Sequence, residues 1–181
     1  EPAKWTPENK VVTEKNNKFT ATASKKTTAE EVTDNGGLKG VDLAAWVGDK
    51  LDADFWKAGA EAATTDAEKK AKVDAALAKA TVTDKSNRTT AAKGTFPGTL
   101  TVKFEDGSTL EVDQKLFVYE KKDDVPTDPK QPTPKDAVVV TYEKGEGVSE
   151  LQGTGKTLVK SGETLADKDF PTAVVDKAKG Y

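Results

Sequence analysis

The side chains able to do chemistry in this chain are carboxylates and lysines, because histidine and cysteine are both absent. Without histidine the commonest general base is missing. Without cysteine there is no thiolate nucleophile, no disulfide framework and no zinc site of the usual kind. Two carboxylate pairs are close enough in sequence to share a substrate: Glu105 with Glu111, and Asp52 with Asp54. A paired-carboxylate hydrolase needs one member kept protonated by an apolar setting. Both pairs lie in strongly charged, solvated sequence that offers no such setting. Gly153-Thr-Gly-Lys-Thr157 looks like the end of a phosphate-binding loop, but the position where the full motif needs its first glycine is Glu150, and a carboxylate there repels phosphate. Asp34-Asn35-Gly36 and Asp123-Asp124 offer oxygen ligands. Neither fits a twelve-residue calcium loop with its terminal glutamate. Lys115, beside Leu116, is a conceivable donor for an intramolecular amide cross-link, which needs a buried lysine, its Asn or Asp partner and an acid in one apolar pocket. The expectation is therefore no catalytic residue, no cofactor and no metal, with ligand-binding residues unassigned.

Residues 98–119 are the frame that must position the rest. Leu100, Val102 and Phe104 alternate with polar residues, as do Leu110, Val112, Leu116 and Val118, so each strand has one apolar face. Asp106-Gly107 suggests a two-residue hairpin loop. That loop pairs Phe104 with Thr109 and Val102 with Glu111, setting every apolar residue opposite a polar one. A three-residue loop, Glu105-Asp106-Gly107, pairs Val102 with Leu110 and Leu100 with Val112, and puts Gly107 at a left-handed position. The second register is the expected one, because a one-residue slip turns the whole apolar set to solvent.

The composition bounds the remainder. Of 181 residues, 35% are hydrophobic and 33% charged, so a heavily charged surface encloses a modest core. The net charge is -3 with both signs interspersed, which argues against nucleic acid, whose binding favours a basic face. No apolar run reaches the length of a membrane span. Methionine is also absent. This bias against oxidation-prone side chains is common in bacterial surface proteins.

Before the hairpin, residues 18–24 alternate around Phe19, Ala21 and Ala23 as a short strand. Thr28-Ala-Glu-Glu31 has the form of a capping box on a short helix. Asp42 is a plausible N-cap for a helix over 43–51, where Leu43, Val47, Leu51 and Phe55 recur every four residues; Gly48 weakens it. Asp52 or Asp54 caps a second turn through 55–58. Thr65-x-x-Glu68 opens the best helix, about 66–79, with Val73, Leu77 and Ala80 as its apolar stripe. Trp46, Phe55 and Trp56 read as core rather than as binding anchors. A strand at 81–83 and a turn at 85–88 lead into the hairpin. Pro126, Pro129, Pro132 and Pro134 then mark a semi-rigid linker with few contacts to either flank. Strands at 137–142 and 155–160 follow, separated by glycine turns, with 166–171 irregular.

The domain boundaries expected are therefore 1–120 for an α+β module, 121–136 for the linker, and 137–181 for the β-rich start of a following module. The fold expected is α+β: a small antiparallel sheet on the hairpin, with a helical layer from residues 42–80 on one face.

Three stretches carry a resemblance. Asp54-Phe-Trp-Lys57, then Ala80-Thr-Val-Thr-Asp-Lys-Ser-Asn-Arg88, then Gly94-Thr-Phe-Pro-Gly-Thr-Leu-Thr-Val-Lys-Phe-Glu-Asp-Gly-Ser-Thr-Leu-Glu-Val112 resemble modules of large cell-wall-anchored surface proteins of Gram-positive anaerobic cocci. The hairpin also looks like the Val-x-Val-x-Tyr/Phe-x-Asp-Gly-Ser segment of Rib-type stalk repeats. Residues 138–147 and 162–167 resemble the start of the next module in such proteins, which often continues past a Gly-Tyr like Gly180-Tyr181. The helical insert at 42–80 departs from the short Rib repeat and leaves room for a binding role. The resemblance implies a non-enzymatic, extracellular, wall-attached adhesin module. It would act as a monomeric stalk or bind a host or neighbouring-cell macromolecule, with no nucleic acid and no membrane insertion. The competing class is a carboxylate-dependent cell-wall or glycan hydrolase. No Leu-Pro-x-Thr-Gly sorting motif occurs, so attachment through a larger protein is what the resemblance implies.

Overall fold

The computed structural model describes residues 4–6 and 18–179; Gly180 and Tyr181 lie outside the described residues. The order is β1 (Lys4–Thr6), β2 (Thr20–Thr22), α1 (Thr28–Asp34), β3 (Leu38–Gly40), β4 (Leu43–Trp46), α2 (Ala53–Lys57), β5 (Ala60–Ala62), α3 (Ala67–Lys79), β6 (Thr81–Asp84), β7 (Gly94–Lys103), β8 (Thr109–Tyr119), β9 (Asp123–Asp124), β10 (Ala137–Thr141), β11 (Val148–Gln152), β12 (Lys156–Lys160) and β13 (Thr172–Val175). Single 3-10 turns occupy Asp167–Asp169 and Lys177–Lys179. The fold is α+β.

The β7–β8 hairpin pairs Leu100 with Val112 and Val102 with Leu110, the register that the three-residue loop requires. Gly107 sits at φ +83°, and its N–H donates to the Phe104 carbonyl at 3.0 Å. The even-numbered side chains Leu100, Val102, Val112, Leu116 and Val118 are buried together, each worth about 1.5–3 kcal/mol for leaving water. β6 extends the sheet, with Val82 opposite Val102. Three helices cover this face with Val32, Trp56, Val73 and Leu77. The helix ends sit one residue from the expected boxes. Thr27, not Thr28, caps α1 and forms the box with Glu30, and Asp66, not Thr65, caps α3. Aspartate is an N-cap acceptor at least as good as threonine. Asp52 caps α2 as expected, accepting the Phe55 N–H at 2.8 Å.

Segment 43–51 is not a helix. Leu43–Trp46 is β4, parallel to β8, with Leu43 opposite Leu116 and Trp46 opposite Tyr119. Gly48 at φ +87° then turns the chain, and Val47 is exposed. The strand wins because both of its faces are buried. Leu43 and Ala45 join the helix-covered core. Ala44 and Trp46 face a second cluster with Phe117, Tyr119 and Leu158. A strand buried on both sides reads as a continuous apolar run, without alternation. Asp42, the expected helix cap, instead accepts the Lys115 N–H at 2.7 Å. The sheet is accordingly β4-β8-β7-β6, mixed rather than purely antiparallel. The helical layer of residues 42–80 reduces to α2 and α3, with α1 packed beside them.

Downstream, β10-β12-β9 form one sheet and β11-β13 a bulged ribbon. β10 and β12 are the two expected strands. Residues 121–136 do not stand clear of their flanks. β9 pairs with β12, Asp123 is buried, and Lys93 forms an ion pair with Asp123. Prolines remove N–H donors but keep their carbonyls. The Tyr119 hydroxyl donates to that of Pro132 at 2.9 Å and accepts from Gln131 Nε2 at 2.7 Å.

Candidate functional site

The most site-like region is a cleft of about 620 Å³ between the β4–α2 segment and residues 132–136. Leu43, Ala44, Phe55 and Ala58 supply an apolar wall, Pro132 and Pro134 the opposite one, and Asp42, Asp49, Asp52, Asp54 and Asp136 the rim, against Lys50 and Lys135. Each wall has a local cause. Gly48 turns the chain out of β4 and Asp52 starts α2, which presents Phe55. The Tyr119 and Gln131 contacts hold the proline wall.

A joint borders the cleft at Asp49 and Asp136. Trp46 Nε1 donates to Asp136 Oδ1 at 2.7 Å. Asp49 Oδ2 accepts the Trp46 N–H at 3.0 Å. Lys160 reaches Asp49 at 3.2 Å and Asp136 at 3.5 Å. The Ser161 N–H donates to the Asp136 carbonyl at 2.8 Å. Burial pushes the Asp136 carboxyl up, but the Trp46 indole, its own backbone N–H and Lys160 outweigh it and hold it below the usual range. Asp49, and then Asp136, raise the Lys160 ammonium. Both groups are thereby fixed in their charged forms, the opposite of a carboxyl poised to give up a proton.

Of the candidate pairs from the sequence, one lies away from the cleft and one on it. Glu105 and Glu111 lie on the hairpin and face Lys79 at 3.8 Å and Lys85 at 2.8 Å. Asp52 and Asp54 both line the cleft, with Asp52 spent on the α2 cap. Lys115 is exposed on β8, so it does not meet the burial that an amide cross-link demands. Gly153-Thr-Gly-Lys-Thr157 runs straight into β12 with no helix to follow. Asp34 pairs with Lys26 and Asp123 with Lys93, and the described residues hold no group of three metal-ligating side chains. Trp46 and Trp56 are core, as expected. The joint itself went unread. Its sequence signal is the doubled apolar run, Leu43-Ala-Ala-Trp46 and Leu116-Phe-Val-Tyr119, in which adjacent residues are all too apolar for a one-sided strand.

A second polar cluster lies under the sheet. Arg88 Nη2 meets Asp84 Oδ1 at 2.9 Å, with both side chains 5% exposed. Arg88 Nη1 donates to the carbonyls of Phe96 and Gln114, and the guanidinium lies 5.0 Å from the Trp56 ring centroid. Burial raises Asp84, but the Arg88 side chain and backbone N–H outweigh it and lower the carboxyl. With each guanidinium nitrogen bonded to the fold, this cluster is a brace.

No family model matches the chain, and no curated protein sequence matches it significantly. Among solved structures, a Rib domain from Streptococcus pyogenes aligns with 45% of this chain and 90% of its own length, at 19% identity and a TM-score of 0.33. A structure of CBM51-2 in complex with GlcNAc and INT domains from Clostridium perfringens ZmpB aligns with 48% of this chain and 17% of its own length, at 27% identity and a TM-score of 0.29. Both scores are too low to assign a fold or a function.

Proposed function

We propose that the chain is a non-catalytic, extracellular module of a bacterial surface protein, part of a larger wall-attached molecule, and that it works as a stiff spacer presenting an adhesive surface. The boundaries 1–120, 121–136 and 137–181 belong to this reading. Its single strongest support is the joint. Trp46, Tyr119 and Leu158 bury together, and Asp136 is tied to both Trp46 and Lys160. A spacer that must hold a direction gains from a docked connection, whereas a free proline linker sets only a distance. The sequence resemblance supplies the setting.

The partner in this reading is a macromolecule of a host or neighbouring cell. It is met by the polar face of α3 and the loop around Asn35-Gly36-Gly37, because the apolar stripe of α3 is spent on the core. Small-angle scattering tests the spacer: one compact envelope, unchanged by salt, is expected, and a broad distribution of end-to-end distances would overturn it. Capture of host extracellular proteins tests the surface. Charge reversal at Lys69, Lys72 and Lys79 is expected to abolish capture without unfolding, since exposed pairs such as Lys72–Glu68 contribute little to stability. Unchanged capture, with loss on altering Thr101 or Glu111, would move the surface to the hairpin.

A further inference from the structure

Strand β10 ends its sheet, with β12 on one side and, among the described residues, no strand on the other. Its pairing with β12 is unbroken from Ala137↔Lys160 to Thr141↔Lys156. The direction of its backbone groups follows from the flanks. Tyr142 N–H donates to Gly155 at 2.9 Å, and the Asp136 carbonyl accepts from Ser161 at 2.8 Å. Even-numbered residues therefore point their N–H and C=O at β12, so Val139 and Thr141 turn theirs outward. Ala137 N–H is taken by the Pro134 carbonyl at 2.9 Å, which closes the strand's start. What remains open among the described residues is two donors, on Val139 and Thr141, and three acceptors, the carbonyls of Ala137, Val139 and Thr141.

Edge strands are ordinarily protected by charge, proline, bulges or brevity. β10 carries none of these within Ala-Val-Val-Val-Thr, and Val138 and Val139 are 44% and 52% exposed. The β11–β13 ribbon, by contrast, is bulged at Val148/Glu150.

We infer that the β10 edge is a self-association surface that takes β10 of a second copy of this chain as an antiparallel strand. Centring the pair on Val140 sets Val139 opposite the partner's Thr141 and the reverse. The N–H and C=O groups of Val139 and Thr141 on each copy are then satisfied, giving four hydrogen bonds, and the blocked Ala137 N–H lies outside that set. The flanks agree in charge. Lys135-Asp136 precedes the strand and Glu143-Lys144 follows it, so antiparallel pairing sets one mixed-charge flank against the other, whereas parallel pairing would set each charge beside its own copy. Lys135 and Glu143 are both exposed. Five residues a side bury far less than the ~1,200 Å² of a stable complex, so the dimer is weak, with a dissociation constant of about 10 μM to 1 mM. This surface works whether or not residues 121–136 act as a stiff spacer.

Sedimentation equilibrium of the full chain across that concentration range tests it. The expected result is a mass rising toward twice the monomer. Val139→Pro is expected to keep it monomeric with an unchanged circular dichroism spectrum, because that N–H makes no bond to β12. Because the chain has no cysteine, Val140→Cys gives one thiol per copy, placed at a close non-hydrogen-bonded pair. Mild oxidation is expected to give a disulfide-linked dimer, and Lys103→Cys is expected to give none. A monomer at every concentration would overturn the assignment, as would a dimer that Val139→Pro leaves intact or equal cross-linking of both cysteine variants.

Discussion

Asp106 shapes a turn and also caps a helix 78 positions away. Its Oδ2 accepts the Thr28 N–H at 2.6 Å, and the adjacent Ser108 Oγ accepts that of Ala29 at 3.1 Å. The first amides of α1, which lack partners within a helix, are thus held by the hairpin tip. The Ser108 hydroxyl, and then the Thr28 N–H, hold the Asp106 carboxyl far below the usual carboxylate range. Its contribution to stability is therefore present above the ordinary carboxylate pKa of about 4. It is lost as pH falls from there toward the depressed folded value. Asp106→Asn should be less stable than the parent at neutral pH, and denaturant titrations should show the gap closing in acid. Gly107→Val should cost about 1–2 kcal/mol. That cost is backbone strain alone, since a Cβ at Gly107 meets nothing within 4 Å. The Asp-Gly turn was legible in the sequence because its demand is local. Its grip on α1 was not, because nothing in either segment names the other. Gln114 breaks the apolar alternation of β8. It occupies a core-facing position of β8 at 5% exposure, and neither side-chain polar atom has a partner among the described residues. Gln114→Leu should leave stability unchanged or raise it by up to about 1 kcal/mol. A clear loss in the melting midpoint would mean that the amide is served by buried water.

At the scale of elements, the chain was readable wherever one period dominated. β7, β8 and α3 each show a single clean period, and each forms where its pattern places it. Segment 43–51 failed because two patterns overlap: Leu43, Val47 and Leu51 recur at helical spacing, while Leu43-Ala-Ala-Trp46 is a run with no polar side. The parallel pairing that decides between them depends on residues 116–119, which lie far along the chain. β11 and β13 were missed for a related reason, since neither buries a full face. One substitution separates the two readings of 43–51 by sign. In a helix, Gly48→Ala would add about 1 kcal/mol of stability. In the observed turn, with φ at +87° and open space around a Cβ, it should cost about 1 kcal/mol instead. Equilibrium unfolding in urea is enough to read the sign.

Across the whole molecule, the question is which interactions hold the two ends of the chain in one arrangement. Among the described residues five ion pairs lie around the connection: Lys93–Asp123, Lys121–Glu163, Lys122–Asp169, Lys160–Asp49 and Lys160–Asp136. Their lysines are 30–59% exposed; although Asp123 and Asp169 are only 6% exposed, solvent reaches every pair from the lysine side, so each contributes about 1 kcal/mol and weakens in salt. The burial of Trp46, Tyr119 and Leu158, at 2–6% exposure, does not weaken in salt, and neither does the indole bond to Asp136. The dry contacts should therefore decide. Within residues 121–136 the strongly exposed run is 127–130, so trypsin should nick the connection only slowly, and at Lys130. Asp136→Ala leaves the Trp46 indole N–H without its acceptor, at a cost of about 1–2 kcal/mol. That loss should appear as faster cutting at Lys130, with the unfolding of the β7–β8 core little changed. High salt should leave the parent's cutting rate where it was. If salt alone opens the connection to trypsin, the ion pairs hold the joint. If Asp136→Ala cuts no faster than the parent, the indole bond is idle and burial alone fixes the arrangement.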